Sequence, residues 1–191
     1  MRALTVTLLL CYGLVMAGEP SDRPRLPYED WGACPFECCT YREWIAKAPI
    51  IAFEDRNEKS ALAFRLNESE RVFAITGVVV TSKAGVTEIL KAIQIGYVPE
   101  SRGPVLSLNP GDVIYTLHYA GEGTEVFWYK GRTYVDQVWV PDNARGGELN
   151  SGAFKVRSRS VSVWWALIRN RAGQLGWTRE TDRFSNQDRC G

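Results

Sequence analysis

Leu66-Asn67-Glu68-Ser69-Glu70-Arg71-Val72-Phe73-Ala74-Ile75 is matched without a gap, 42 residues further along, by Leu108-Asn109-Pro110-Gly111-Asp112-Val113-Ile114-Tyr115-Thr116-Leu117. Each copy has an apolar residue, a polar tight turn, an acidic residue and a strand in which aliphatic and aromatic positions alternate. A turn that reverses the chain and starts a half-buried strand is therefore used twice. This repeat predicts two small β units, one after the other.

The rest of the chain from Ile50 onward also has short apolar runs separated by turn residues, without a sustained helical period. This pattern predicts an all-β fold. Residues 86–95 also fit a helical stripe, and we assign them as a strand. The predicted strands are 61–66, 71–81, 86–95, 112–119, 125–130, 133–140, 161–169 and 175–178.

The N-terminal segment has the features of an export signal. Residues 1–17 combine Arg2, an apolar run and a small-residue ending, so cleavage is predicted before Gly18. This apolar run is shorter than the roughly 20 residues that span a bilayer, and no later run approaches that length, so we predict no membrane span. Residues 18–27 are rich in proline and charge and predict a mobile leader. Thr40-Tyr41-Arg42-Glu43 is a capping-box pattern and predicts a short helix that ends before Pro49.

Four cysteines remain after the signal segment, namely Cys34, Cys38, Cys39 and Cys190. An even number in an exported chain favours disulfides. Neighbouring cysteines rarely bridge each other, so either Cys38 or Cys39 should bind Cys34, and the other should reach Cys190. That arrangement would bring the two ends of the mature chain together. A zinc site would need a second pair of cysteines, so we expect no metal and no cofactor.

The overall charge excludes one broad class of function. Lys plus Arg total 23 against 22 for Asp plus Glu, which gives a formal net charge of +1. No general electrostatic field attracts nucleic acid, and we expect no nucleic-acid partner.

Few residues suggest catalysis. His118 is the single histidine and lies inside a predicted strand. No serine or cysteine has the context of an activated nucleophile, so we interpret His118 as structural and the protein as a non-enzyme. Lys155, Arg157 and Arg159 alternate with uncharged residues and share one face. They form either a charged edge strand or a contact strip for an acidic partner.

Aromatic residues are the predicted ligand-binding candidates. Phe127, Trp128 and Tyr129 are consecutive, so at least one ring must point away from the core of its strand. Tyr134 and Trp139 follow on the next predicted strand. These rings either fill an interface between the units or line a ligand groove.

The stretch Leu108 to Leu117, taken with Trp164-Trp165-Ala166-Leu167-Ile168-Arg169 and the closing Leu175-Gly176-Trp177-Thr178, resembles bacterial SH3-like (SH3b) domains. The family pattern is a Leu-x-x-Gly-Asp turn, a strand, a Trp-containing strand and a Gly-Trp closing strand. The segment from Tyr28 to Trp44 is similar to the lead-in of a group of exported bacterial proteins that continue into such units.

This resemblance implies an all-β fold of two tandem SH3-like barrels with a short N-terminal helix. The expected divisions are a signal peptide at 1–17, a leader and lead-in at 18–49, and units at 50–100 and 101–191. The second unit would carry an insertion at about 131–160.

The expected function is a non-catalytic binding or adaptor module of the cell envelope that recognises peptide, peptidoglycan or protein. It would be periplasmic or secreted, with a cell-wall polymer or an envelope protein as its partner. An alternative is a secreted inhibitor of an envelope-directed enzyme, in which residues 141–160 plug an active site. A hydrolase with a carboxylate pair ranks below both.

Overall fold

The computed structural model describes residues 22–95, 106–136 and 152–190, and these residues confirm the predicted all-β class. The described part contains no α-helix, and its one helical turn is a 3-10 turn at Thr181–Arg183. The strands are β1 (Tyr28–Trp31), β2 (Glu43–Ala46), β3 (Ile50–Phe53), β4 (Leu62–Leu66), β5 (Arg71–Lys83), β6 (Val86–Ile89), β7 (Ile93–Ile95), β8 (Leu106–Leu108), β9 (Val113–Gly121), β10 (Thr124–Tyr129), β11 (Arg132–Asp136), β12 (Phe154–Ser158), β13 (Val161–Arg169), β14 (Leu175–Thr178) and β15 (Phe184–Ser185).

The strands form three sheets. The largest has eight strands in the order β15-β2-β5-β13-β14-β3-β4, with β1 paired to β5 as the eighth. The second has five strands in the order β11-β10-β9-β6-β12, and β7 pairs with β8 in a hairpin. All the paired strands are antiparallel.

The two β units are nested. We call β2–β5 with β13–β15 the outer unit, and β6–β12 the inner unit. The outer order β15-β2-β5-β13-β14 has the same plan as the inner order β12-β6-β9-β10-β11, and the hairpin β3–β4 corresponds to β7–β8. The inner unit occupies the connection between β5 and β13, which pair with each other over most of their length.

The tandem arrangement is therefore wrong, because the chain returns to the outer unit after completing the inner one. The two stretches that carry the SH3b resemblance also lie in different units. Leu108 to Leu117 belongs to β8 and β9 of the inner unit, whereas Trp164 to Thr178 belongs to β13 and β14 of the outer one.

The repeated turn has the same hydrogen bonds in both units. The backbone N–H of Ser69 donates to Ala46 O over 2.8 Å, and that of Gly111 donates to Ile89 O over 2.8 Å. Glu70 and Asp112 each accept the backbone N–H of the residue three positions earlier on their side-chain carboxylate. Ser69 and Gly111 both have a left-handed backbone, with φ of 68° and 91°. The sequence repeat is thus a structural repeat.

Each unit has its own apolar core. The outer core contains fully buried Trp44 together with small residues such as Ala52 and Ala74. The inner core is built around Phe127, Leu108 and other residues of β6–β10. Phe184 pairs with Ala46 in the outer unit as Phe154 pairs with Ile89 in the inner one.

The predicted short helix after Thr40 is wrong, because Glu43–Ala46 is strand β2. This strand pairs with Arg71–Phe73 of β5 on one side and with β15 on the other. Trp44 and Ala46 are buried and alternate with more exposed neighbours, which is a strand period. Strand pairing on both sides satisfies the backbone groups of β2, and it overrides the local capping signal.

Both predicted disulfides form, and the structure resolves their pairing. Cys34 bonds to Cys39, and Cys38 bonds to Cys190, with Cα atoms 5.5 and 5.8 Å apart. The backbone N–H of Thr40 donates to Gln187 O, and that of Arg189 donates to Cys38 O. The lead-in and the C-terminal segment therefore meet, as the cysteine count predicted.

Several predictions lie outside the described residues. These are the signal peptide at 1–17, the leader up to residue 21, the boundary between residues 100 and 101, and residues 137–151 of the insertion. The flanks of that insertion form β11 and β12 of the inner unit. Within the described ranges, no helix is long and apolar enough to cross a membrane.

Candidate functional site

A surface groove of about 410 Å³ lies on the outer unit where β2, β5 and the β13–β14 hairpin meet. A second hollow of about 230 Å³ adjoins it and shares Arg71, Asn170 and Arg171. The larger hollow is lined by Glu43, Arg71, Phe73, Arg169 and Arg171 among others. The smaller one adds Arg65 and Glu70. We call these two hollows together the arginine groove.

Strand pairing places the groove side chains on one face. Phe73 lies opposite Glu43 on β2 and opposite Arg169 on β13. Residues directly opposite each other in an antiparallel pair point to the same side of the sheet. The inward neighbours Val72 and Ile168 are buried in the outer core. The groove residues therefore stand on the outer surface of the same strands that form the core.

A tight turn holds the arginines at the end of the β13–β14 hairpin. The backbone N–H of Gly173 donates to Asn170 O over 3.0 Å, with Gly173 at a φ of 84°. The Asn170 side chain accepts the backbone N–H of Gln174 and donates to the Gln174 side chain. Arg169 and Arg171 therefore project from a well-fixed turn.

The groove carries a net positive charge. Arg71 is paired with Glu43, and the Glu70 carboxylate is occupied by the backbone N–H of Asn67. The Arg169 guanidinium lies 5.6 Å from the centre of the exposed Phe73 ring. Among the described residues, Arg65, Arg169 and Arg171 form no ion pair with a carboxylate. Three guanidinium groups thus retain their capacity to bind an anion.

The predicted aromatic candidates lie elsewhere, in the inner unit. Phe127 and Tyr129 are 1 % and 7 % exposed and belong to the inner core. Tyr134 stacks on Phe127 with ring centres 5.5 Å apart, and Trp128 is half-buried. Trp139 lies outside the described residues. Phe127 and Tyr129 therefore present almost no surface to a ligand.

The predicted basic strip lies on β12 and just beyond it, at one edge of the five-stranded sheet. Lys155, Arg157 and Arg159 are all exposed, but the pairing of β12 with β6 shifts register between Val156 and Ser158, and Arg159 follows the last residue of the strand. Arg157 donates to the Glu88 carboxylate of the neighbouring strand. The strip and the arginine groove belong to different units.

His118 is buried at the seam between the inner unit and β1. Its Nε2 lies 2.8 Å from Oδ2 of Asp30, and its Nδ1 lies 2.8 Å from the backbone oxygen of Tyr119. Both partners are hydrogen-bond acceptors, and each ring nitrogen contacts one of them. The ring is 3 % exposed. Its role as a structural strand residue fits this arrangement, since the contact ties the N-terminal strand to the inner unit.

Two further groups near the seam have shifted acidities. Burial raises the pKa of the Glu125 carboxyl to about 7, against the opposing effect of the charges on Arg159 and His118. Burial also raises the pKa of the Tyr41 hydroxyl to about 12. This hydroxyl donates to Ala33 O and accepts the indole N–H of Trp164 over 3.3 Å. These contacts hold the lead-in against the outer core.

Metal-binding clusters and free cysteine thiols are both absent from the residues that the structure describes. No group of three or more His, Cys, Asp or Glu side chains among them is placed to hold a metal ion. The four described cysteines are all in disulfides. The chemistry that the arginine groove supports is reversible binding of an anionic group through charge-assisted hydrogen bonds.

The sequence prediction did not include Arg169 and Arg171 among the candidate site residues. It did not connect them with Arg71 or Phe73, which lie almost one hundred positions earlier. The signal that could have done so is a pair of arginines, one just before and one within the glycine-containing turn at 170–173. Only the pairing of β5 with β13 shows that they face the start of β5.

Comparisons with protein-family models, with curated proteins and with solved structures find no match for this chain.

Proposed function

We propose that the protein is an exported, non-catalytic binding module of the cell envelope, and that it recognises an anionic polymer or peptide through the arginine groove. The observation that carries this proposal is the set of three guanidinium groups, on Arg65, Arg169 and Arg171, without carboxylate partners among the described residues around an open groove. Unpaired arginines on a fixed turn are suited to bidentate recognition of carboxylate or phosphate.

Two further observations support the proposal. The disulfides of the lead-in are typical of proteins that fold outside the cytoplasm. The same strand plan is repeated in both units, and we propose that each unit is an SH3-like small barrel, a class that hosts many binding functions. In this proposal the inner unit is a second copy inserted into the first.

A sedimentation assay with purified cell-wall sacculi tests the proposal. We expect the native protein to co-sediment and the Arg169→Glu/Arg171→Glu variant to lose most of that binding, since both substitutions reverse a groove charge. Arg132→Glu is the matched control, because Arg132 is exposed on β11 of the inner unit. Retention of both variants at the native level, or no retention of the native protein, contradicts the proposal.

A further inference from the structure

The arginine groove continues into an apolar and aromatic surface on the same face of the large sheet. Leu175 lies opposite Arg169, which lies opposite Phe73. Two residues beyond Leu175 on β14, Trp177 lies opposite Leu167 of β13 on one side and opposite Phe53 of β3 on the other. Two parallel rows of side chains therefore cross the outer unit side by side, the first charged and aromatic, the second apolar.

An exposed tryptophan extends the second row. Trp31 of β1 is 57 % exposed and contacts Trp177 edge-on, with ring centres 6.0 Å apart. The Arg56 guanidinium lies 4.7 Å from the centre of the Trp31 ring and 5.7 Å from that of Trp177. Glu29 anchors both Arg56 and the Trp31 indole N–H, over 2.9 and 3.1 Å. The exposed Trp31 ring is thus held in one orientation.

The spacing of these groups suits an extended ligand. Neighbouring strands are about 4.8 Å apart and alternate residues about 7 Å apart, so Trp177 and Phe73 are separated by roughly 12 Å across the sheet. A single small anion cannot reach both rows. A chain molecule with repeated anionic groups and repeated apolar faces can do so.

We propose that the ligand of this surface is an acidic polysaccharide, whose carboxylates bind Arg169 and Arg171 and whose sugar rings pack on Trp31 and Trp177. This inference rests on the proposed binding function and names its ligand class. Sugar rings present flat C–H faces that pack against aromatic rings, and their carboxylates match the guanidinium fork. An acidic peptide would use the arginines equally well, but it has no repeated ring to occupy an exposed tryptophan.

Calorimetric titration with three soluble probes tests the ligand class. The probes are a short oligomer of galacturonic acid, a neutral glucan oligomer of similar length, and a short poly-glutamate. We expect the acidic oligomer to bind at least tenfold more tightly than either of the others. Arg169→Gln should weaken it by at least tenfold, which is a loss of about 1.4 kcal/mol, since the charge-assisted hydrogen bonds to the carboxylate are removed.

Trp31→Ala separates sugar recognition from charge alone. Trp31 is exposed, so its removal should leave the fold intact while weakening the galacturonic acid oligomer several-fold and leaving poly-glutamate binding unchanged. Tyr119→Ala is the matched control, because Tyr119 is 47 % exposed in the inner unit. Its affinity for the acidic oligomer should equal that of the native protein.

The failure of this inference can be distinguished from failure of the proposed function. Retention on sacculi that depends on Arg169 and Arg171, combined with equal affinity for poly-glutamate and the acidic oligomer, overturns the polysaccharide and leaves the binding module in place. Retention that ignores the groove charges overturns both.

Discussion

The region of the inner unit that corresponds to the arginine groove of the outer unit carries a different set of side chains. In the outer unit, Arg169 lies opposite Phe73 at the end of the hairpin. At the corresponding pair the inner unit has Trp128 opposite Tyr115, and beside them Lys130 lies 3.5 Å from the Asp112 carboxylate. A half-buried indole and a neutralised lysine replace free guanidinium groups. The same backbone plan thus supports a binding surface in one copy and a packed, paired surface in the other.

The two apolar cores also differ in which inward position of the corresponding strand carries the large side chain. Trp44 and Ala46 on β2 correspond to Thr87 and Ile89 on β6, so the large residue moves by one inward position. All four side chains are buried. Burial pattern and turn hydrogen bonds are retained although the identities change, which is how cores with conserved volume tolerate substitution. Among the described residues, four of the seven buried polar side chains belong to the inner unit, including Thr87, Thr116 and His118.

The largest expected effect on stability comes from removing the disulfide that joins the lead-in to the C-terminal segment, at the two ends of the outer unit. Cys38–Cys190 closes a loop with a sequence separation of 152, which contains the whole inner unit, whereas Cys34–Cys39 spans 5. By loop-closure entropy, Cys38→Ser/Cys190→Ser should lower the free energy of unfolding by about 5 kcal/mol, and Cys34→Ser/Cys39→Ser by about 2 kcal/mol. Urea titration without reductant measures both.

The two cysteine variants control for each other, since each removes one bond from the same lead-in. Equal losses would show that loop length does not set the contribution, and that the ends of the outer unit hold together without the long-range bond.

Local patterns account for the part of the fold that was predicted. Strands β4, β5, β13 and β14 were predicted because alternation of polarity and turn glycines are signals within a few residues. Strands β1, β2 and β15 were not, since each is only two to four residues long and pairs with a distant segment rather than in a hairpin. Phe184, for example, pairs with Ala46. The nesting was not predicted for the same reason, because no feature within residues 161–169 indicates that this strand pairs with β5.

The same limit applies to the candidate site. The arginines of the hairpin could be read from the sequence, whereas their grouping with Arg71 and Phe73 depends on long-range pairing. The residues Phe127 to Tyr129 were predicted as ligand-binding candidates because they are three consecutive aromatic residues. Its burial follows from core packing in the inner unit, which composition does not determine.

The next largest effect is a pH dependence confined to the inner unit. The folded Glu125 carboxyl has its pKa raised by burial to about 7, from an ordinary value of 4.5. The folded state therefore binds this proton more tightly than the unfolded state, so stability falls as the pH rises from 4.5 to 7 and is level above that range. The full difference corresponds to about 3 kcal/mol.

Glu125→Gln removes this contribution, and thermal or urea unfolding across pH 4 to 8 measures it. The variant should match the native protein near pH 4.5 and exceed its stability at pH 8. His118, Arg159 and the cross-strand neighbour Asp136 face Glu125 and remain present in both proteins, so the difference between the two profiles isolates the carboxyl. A constant difference across the range contradicts the raised pKa.

A smaller effect distinguishes the two buried threonines near the seam. The Thr87 hydroxyl is buried and has no hydrogen-bond partner among the described residues, whereas the Thr81 hydroxyl donates to Leu117 O over 3.0 Å. Thr87→Val should raise the free energy of unfolding by about 1 kcal/mol, and Thr81→Val should lower it by about 1 kcal/mol. Valine has nearly the same shape as threonine, so changes of opposite sign in the free energy of unfolding, measured by urea titration, would reflect hydrogen bonding alone. A loss in both variants would show that the Thr87 hydroxyl is satisfied.

The smallest effect tests the equivalence of the two repeated turns directly. Ser69 and Gly111 occupy the same left-handed position, and a Cβ added at Gly111 would meet no atom within 4 Å. A left-handed backbone costs an L-residue about 1–2 kcal/mol, and glycine offsets part of this gain through its larger entropy in the unfolded chain. Ser69→Gly should therefore stabilise the protein by about 0.5–1 kcal/mol, and Gly111→Ser should destabilise it by a similar amount.

The turns belong to different units and share no partner, so the double variant should return to the native stability within about 0.5 kcal/mol. A double variant that departs further in urea titration would show that the two copies no longer use the turn in the same way.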